Sequence, residues 1–148
     1  MEDLFSAIAA GDATRVQGAL HDDPSLASAE RAGVSTLRAA VYAGQPDVVQ
    51  RLLDLGVHED AFDAAAMGHV DQLRTLLDDD PERAHQVSGD GFSALHLAAW
   101  FGHDKVAELL LARGADPEQL ATNGTGLRPL HSAAAGGHCV IAHLLLDR

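Results

Sequence analysis

Apolar residues recur along this chain at helical spacing, in short runs punctuated by glycine. Five runs end on one element: two small or apolar residues, two variable ones, then Gly11, Gly44, Gly68, Gly102 or Gly137. The pairs that open the element are Ala7/Ile8, Ala40/Val41, Ala64/Ala65, Ala98/Ala99 and Ala133/Ala134. A second run follows each glycine. Four of these carry paired leucines, Leu52/Leu53, Leu76/Leu77, Leu110/Leu111 and Leu145/Leu146. Val16, Val49, Leu73, Ala107 and Ala142 lie one turn earlier, which completes the stripe of a half-buried helix. The first copy is weaker: it has Ala19/Leu20, and Gly18 inside the helix costs about 1 kcal/mol relative to Ala. The pattern predicts five helix pairs, over residues 2–22, 33–55, 60–79, 91–113 and 126–147. The exit glycines are expected to take φ > 0. Pro24, Pro46, Pro81, Pro117 and Pro129 all fall in loops or first turns, so none interrupts a helix.

The chain also repeats itself. Residues 91–116 read GFSALHLAAWFGHDKVAELLLARGAD and residues 126–146 read GLRPLHSAAAGGHCVIAHLLL, with Leu95 and Leu130 equivalent and 35 residues apart. Such a period marks a stack of small units, each completed by its neighbours. The run G-x-S/R-A/P-L-H-x-A-A-x-x-G-H resembles the ankyrin repeat, whose signature is T-P-L-H-x-A on a 33-residue period. The resemblance implies an all-α ankyrin-repeat solenoid of five helix pairs with short β-hairpin or loop fingers, forming a single domain over residues 1–148. It also implies that His96 and His131 hydrogen-bond backbone between repeats. His69, His103 and His138 follow exit glycines, again the family's common choice, and His69 and His103 read as structural or surface residues.

Departures from the family pattern carry expectations of their own. The first copy starts at Glu2-Asp3-Leu4-Phe5 without a hairpin and reads as an N-terminal cap. Leu37 and Ala61 are equivalent but only 24 residues apart, so one finger is missing at GVHEDAF, where Asp60 looks like an N-cap. Connections 21–35 and 78–92 run long, each entered by Asp-Pro. Ile141, Leu144 and Leu145 have no following repeat and are expected to lie uncovered, a basis for weak self-association.

Composition narrows the function. Apolar residues make up 47% and aromatics only 4%, which suits closely packed short helices. The net charge of −12 argues against nucleic acid and anionic membranes, both of which need clustered Lys and Arg. Acidity serves solubility, and in a sharper reading it suits a basic partner surface. The single cysteine, Cys139, excludes an internal disulfide. The N-terminus lacks the features of a signal peptide, and no apolar run approaches membrane-spanning length. A reducing cytoplasm is the expected location.

Chemistry-bearing residues are plentiful but poorly arranged for catalysis. Cys139 and His143 lie four apart on one helix with His138 adjacent, so a metal- or thiol-dependent activity there is the alternative function. A metal site needs three or four ligands, and in the repeat register 139 and 143 match the outward Asp104 and Glu108. The expectation is therefore no metal, no cofactor and no catalysis. Gly124-Thr125-Gly126 lacks the lysine and hydroxyl of a phosphate loop. The aspartates at 22–23 and 78–80 lack calcium-loop spacing and read as solvated loops.

The family resemblance places partner binding on a concave face, lined by finger tips and by the two residues before each exit glycine. Those pairs are Ala9/Ala10, Tyr42/Ala43, Ala66/Met67, Trp100/Phe101 and Ala135/Gly136. The row holds the chain's one Trp and one Tyr, and Phe92 falls at a finger tip beside it. Clustered aromatics are typical anchors of protein interfaces. The expected binding set is Tyr42, Met67, Phe92, Trp100 and Phe101, with Asp63, Asp90, Arg31 and Arg38 as a polar rim. The competing reading makes Trp100 and Phe101 filler for the missing finger.

Overall fold

The computed structural model describes residues 4–28, 30–31 and 34–147, with the side chains at 27, 28 and 31 outside that description. The helices fall in pairs, as the periodicity requires. The chain divides into two compact units, Met1–Glu59 and Asp60–Arg148. The division falls inside GVHEDAF, where the sequence lacks a finger.

The first unit holds α1 (Leu4–Ala10), α2 (Ala13–Asp22), α3 (Thr36–Tyr42) and α4 (Pro46–Asp54). First helix packs on first helix and second on second. Leu4, Ile8, Val16, Leu20, Leu37, Val48 and Leu52 form the core. The long connection after α2 is not slack: a 3-10 turn spans Pro24–Ser28, and β1 (Glu30–Arg31) pairs antiparallel with β2 (Val34–Ser35). Ser35 then caps α3 by accepting a hydrogen bond from the Arg38 N–H at 3.1 Å.

The second unit holds α5 (Ala61–Met67), α6 (Val70–Asp79), α7 (Ala94–Phe101), α8 (Asp104–Ala112), α9 (Pro129–Gly136) and α10 (Cys139–Leu146). Here too α5, α7 and α9 pack in sequence, as do α6, α8 and α10. Alanines 64, 65, 98, 99 and 133 meet between the first helices, with Leu73, Leu77, Leu95 and Leu110 beneath them. Small side chains let backbones approach closely, which is why a core so poor in aromatics still packs. Asp60 begins α5 as expected. Its carboxylate accepts from the Asp63 N–H at 2.7 Å, and the Asp63 carboxylate accepts in return from the Asp60 N–H at 3.0 Å. A 3-10 turn at Pro81–His85 takes up the second long connection, and a single bridge, Val87 to Ser93, closes the finger before α7.

The fifth helix pair differs from expectation. Ile141 and Leu145 are buried and Leu144 is half-buried, because α10 packs against α8 and α9. The apolar side chains left exposed on α10 are Val140 and Leu146.

Candidate functional site

The junctions between repeats within a unit share one hydrogen bond, and it fixes the backbone that carries the exposed residues. After an exit glycine the next residue begins a second helix. In three repeats its side chain reaches back to the carbonyl two residues before the preceding exit glycine. Gln45 Nε2 donates to the Ala9 carbonyl at 3.5 Å, His103 Nε2 to the Ala66 carbonyl at 2.9 Å, and His138 Nε2 to the Trp100 carbonyl at 2.9 Å. The exit glycine makes room for this. Gly68 and Gly102 sit at φ 78° and 79°, and a Cβ on Gly102 would fall 2.6 Å from His138 Nδ1. Glycine is thus required twice, by its left-handed backbone and by the ring that occupies its side-chain space.

At the junction between α7 and α9, His96 adds a second bond. The Ser93 N–H and hydroxyl both donate to its Nδ1, at 3.2 and 2.7 Å, which leaves the ring proton on Nε2. That nitrogen donates to the Leu127 carbonyl in the next finger at 2.8 Å. Burial pushes the His96 pKa below the ordinary histidine value. The Leu127 hydrogen bond opposes that shift, and the nearby His131 adds to it. His103 is lowered for the same first reason, burial, with its Ala66 hydrogen bond opposing and His138 and His69 adding to the lowering. His131 departs from the expected bridging role. It is exposed, and its Nδ1 accepts from the Arg128 N–H at 2.9 Å within its own repeat.

The predicted aromatic row divides between the units. In the second unit, Trp100 is 50% exposed on the last turn of α7, and its backbone is pinned by His138. Phe101 is half-buried and lies nearly parallel to the His103 ring at 6.5 Å. Met67 is half-buried at the equivalent end of α5, the helix packed beside α7. Phe92 is half-buried on the finger before α7, tilted against His96 at 5.7 Å. In the first unit Tyr42 is 40% exposed at the end of α3, and Arg38 Nη1 donates to its hydroxyl at 3.4 Å.

The polar rim needs correction. Arg38 and Asp63 are each only 2% exposed, so neither offers a charge to a partner. Asp63 serves the α5 capping box, and Arg38 packs inside the first unit with its tip on Tyr42. Asp90 is held in its finger, where its carboxylate accepts from the Ser88 hydroxyl and its carbonyl from Asn123 Nδ2 at 3.0 Å. The Arg31 side chain lies outside the described residues. Of the two rings in the filler reading, Trp100 is 50% exposed and Phe101 is half-buried.

Cys139 is exposed and His138 spends its Nε2 on Trp100. Among the described residues no group of three or more His, Cys, Asp or Glu side chains converges on a point. Nothing in this arrangement favours the metal- or thiol-dependent alternative. No helix among the described residues is long and apolar enough to cross a membrane. Sequence reasoning missed the junction role of Gln45 and His138. The signal was there: a long side chain with an N–H donor directly after an exit glycine.

Comparison with known proteins agrees with this architecture. A family model described as ankyrin repeats (3 copies) matches residues 37–121 and 61–148. The chain is 36% identical over 94 residues to the human transient receptor potential cation channel subfamily A member 1, covering 56% of this chain and 8% of that protein. It is 35% identical over 94 residues to human ankyrin repeat and SOCS box protein 3, covering 56% and 18%. It is 28% identical over 117 residues to dauer abnormal formation protein 25 of Caenorhabditis elegans, covering 72% and 30%. The chain thus spans less than a third of the length of these relatives.

Proposed function

Because the chain belongs to the ankyrin repeat family, we propose that it binds another protein, without catalysis, through the face that carries the last turns of its first helices. Ankyrin repeats are generally protein–protein interaction modules. The observation that carries the finer reading is Trp100. A half-exposed indole stands on a backbone fixed by a hydrogen bond from the next repeat, with Phe101 on the same turn and Met67 at the matching position of α5. Rigid aromatic anchors lose little entropy on binding and dominate interface energetics. Tyr42, 40% exposed at the end of α3, is the matching aromatic of the first unit. The net charge of −12 suits a partner with a basic surface and works against nucleic acid or anionic membrane as ligand. A reducing cytoplasm fits the single exposed thiol.

Affinity capture with immobilised protein, compared with Trp100→Ala, tests the reading. Truncating an anchor costs about 2 kcal/mol or more, roughly a thirtyfold loss of affinity. An exposed truncation changes stability by only about 0.5 kcal/mol. The variant should therefore keep its melting temperature and lose a partner that the unmodified protein retains. Equal capture by both proteins, or unfolding of the variant, would remove the anchor from the proposal.

A further inference from the structure

We propose that Asn123 is a self-modifying site: the Gly124 amide nitrogen attacks the Asn123 side chain, converts it to aspartate and isoaspartate without an enzyme, and so removes a hydrogen bond that ties the last finger to the one before it. Two versions of one turn carry the inference. Residues 88–91 read Ser-Gly-Asp-Gly and residues 123–126, 35 positions on, read Asn-Gly-Thr-Gly. Each turn closes with a side-chain bond across two residues, but donor and acceptor have changed places. In the first, the Ser88 hydroxyl donates to the Asp90 carboxylate. In the second, the Thr125 hydroxyl donates to Asn123 Oδ1 at 2.5 Å and the Thr125 N–H joins it at 3.2 Å. The exchange puts an amide carbon, open to a nucleophile, directly before a glycine.

The second turn meets the needs of that attack. Among the described residues the Gly124 N–H donates to no acceptor. A Cβ on Gly124 would meet no atom within 4 Å among them, and residues 122–126 are exposed to water. The two Thr125 donors sit on Oδ1, the oxygen that gains negative charge as the amide carbon becomes tetrahedral, and donors placed there stabilise the developing charge. The Thr125 oxygen accepts in turn from the Leu127 N–H at 3.4 Å, which leaves its proton for Asn123. The neighbouring Asp90-Gly91 pair lacks these features. Its Gly91 N–H is taken by the Ser88 carbonyl at 2.9 Å, and the side-chain space of Gly91 is filled by Asn123, whose Cβ lies 2.7 Å from where a Gly91 Cβ would stand.

Water is the co-reactant, and the step balances without oxidation or reduction. The Gly124 nitrogen gives its proton to hydroxide and bonds to Asn123 Cγ. The Cγ–Nδ2 bond breaks, and Nδ2 takes a proton from water and leaves as ammonia, which restores the hydroxide. Water then opens the cyclic imide at either carbonyl. One opening gives aspartate; the other gives isoaspartate, with the main chain rerouted through the side chain. Either product has lost a donor. Asn123 Nδ2 donates to the Asp90 carbonyl at 3.0 Å, beside the Thr122 N–H bond to the Gly91 carbonyl at 2.9 Å, and the two bonds join the fingers. A carboxylate in that place sets acceptor against acceptor and brings a second negative charge to the turn that holds Asp90.

The test ages the full chain at neutral and mildly alkaline pH and follows Asn123 by peptide mass spectrometry, with isoaspartate counted by enzymatic methylation. Asn123 should convert at least as fast in the folded protein as in the same chain unfolded in urea. Slower conversion in the folded protein would show that the turn shields the amide, and would overturn the proposal. Thr125→Val removes the closer donor to Oδ1 and should slow conversion by about tenfold, less than the roughly 10²–10³ lost from a water-excluded oxyanion site because this turn is exposed. An unchanged or faster rate in Thr125→Val would also overturn it. Asn123→Asp, the product made directly, reads the consequence through amide exchange at Thr122. Exchange there should quicken by about tenfold, the share of one hydrogen bond, while α5 to α8 keep their protection. Exchange at Thr122 equal to that of the unmodified protein would overturn the release of the finger.

Discussion

His96 and His131 occupy the same place in the same sequence element, yet the structure gives them very different work. His96→Ala removes the Nε2 bond to Leu127 and the Nδ1 acceptor for the Ser93 N–H and hydroxyl, at a side chain only 1% exposed. Each buried partner left unsatisfied costs about 1–3 kcal/mol. The Leu127 carbonyl lies on a half-exposed finger and is partly rescued by water, so its share falls at the low end. Two such losses and a small cavity come to about 3 kcal/mol. His131→Ala deletes one hydrogen bond from an exposed ring and should cost about 0.5 kcal/mol. Urea denaturation followed by Trp100 emission reads both variants, since the indole sits on the same helix as His96. With a slope of about 1–3 kcal/mol per molar urea, His96→Ala should lower the midpoint by roughly 1–3 M, and His131→Ala by a few tenths at most. Equal shifts would mean that the junction hydrogen bond adds nothing to what the shared motif already provides within one repeat.

Three further outcomes follow from the same geometry. Burial favours neutral His96 and His103 in the folded state, so the unfolded chain takes up protons first as pH falls. Their contribution is complete above the unfolded value of about 6.5 and is lost as pH drops through it toward the lower folded values, so melting temperature should fall between pH 7.5 and 5.5. A flat profile, or an equal slope in the His96→Asn/His103→Asn variant, would contradict this. Gly102→Ala pairs an unfavourable φ with a collision against His138 and should cost about 2–3 kcal/mol, whereas Gly137→Ala at φ 75° meets open space and should cost about 1 kcal/mol. Equal melting shifts would refute the junction role of His138. Purified protein should carry no stoichiometric zinc by elemental analysis, and near-equimolar zinc lost in Cys139→Ser would revive the metal reading of α10.

The helix pairs were legible because their causes are local. The 3.6-residue stripe, the exit glycines and the Asp60 cap each act within one or two turns, and each appears where the pattern placed it. The missing finger was legible as an arithmetic deficit between Leu37 and Ala61. What failed was whatever depends on neighbours. Arg38 and Asp63 are charged residues beside an aromatic row, which in sequence suggests a rim, but burial is a property of the packed helix face. Ile141, Leu144 and Leu145 were expected to lie uncovered because register alone does not say which side of α10 turns inward; Ile141 and Leu145 are buried and Leu144 is half-buried. His131 and His96 are indistinguishable as letters, because what separates them is whether another finger lies above. The exposure of Trp100 was legible from rarity and register, two signals that survive without coordinates.

Hydroxyl-radical footprinting of the protein free and bound to a captured partner tests the binding face most directly, because Trp100 and Met67 both react readily. Labelling of Trp100, Phe101 and Met67 should drop together on binding, while Leu120, which is 50% exposed on the last finger, stays unchanged. Undiminished labelling of Trp100 in the complex, with protection elsewhere, would contradict it.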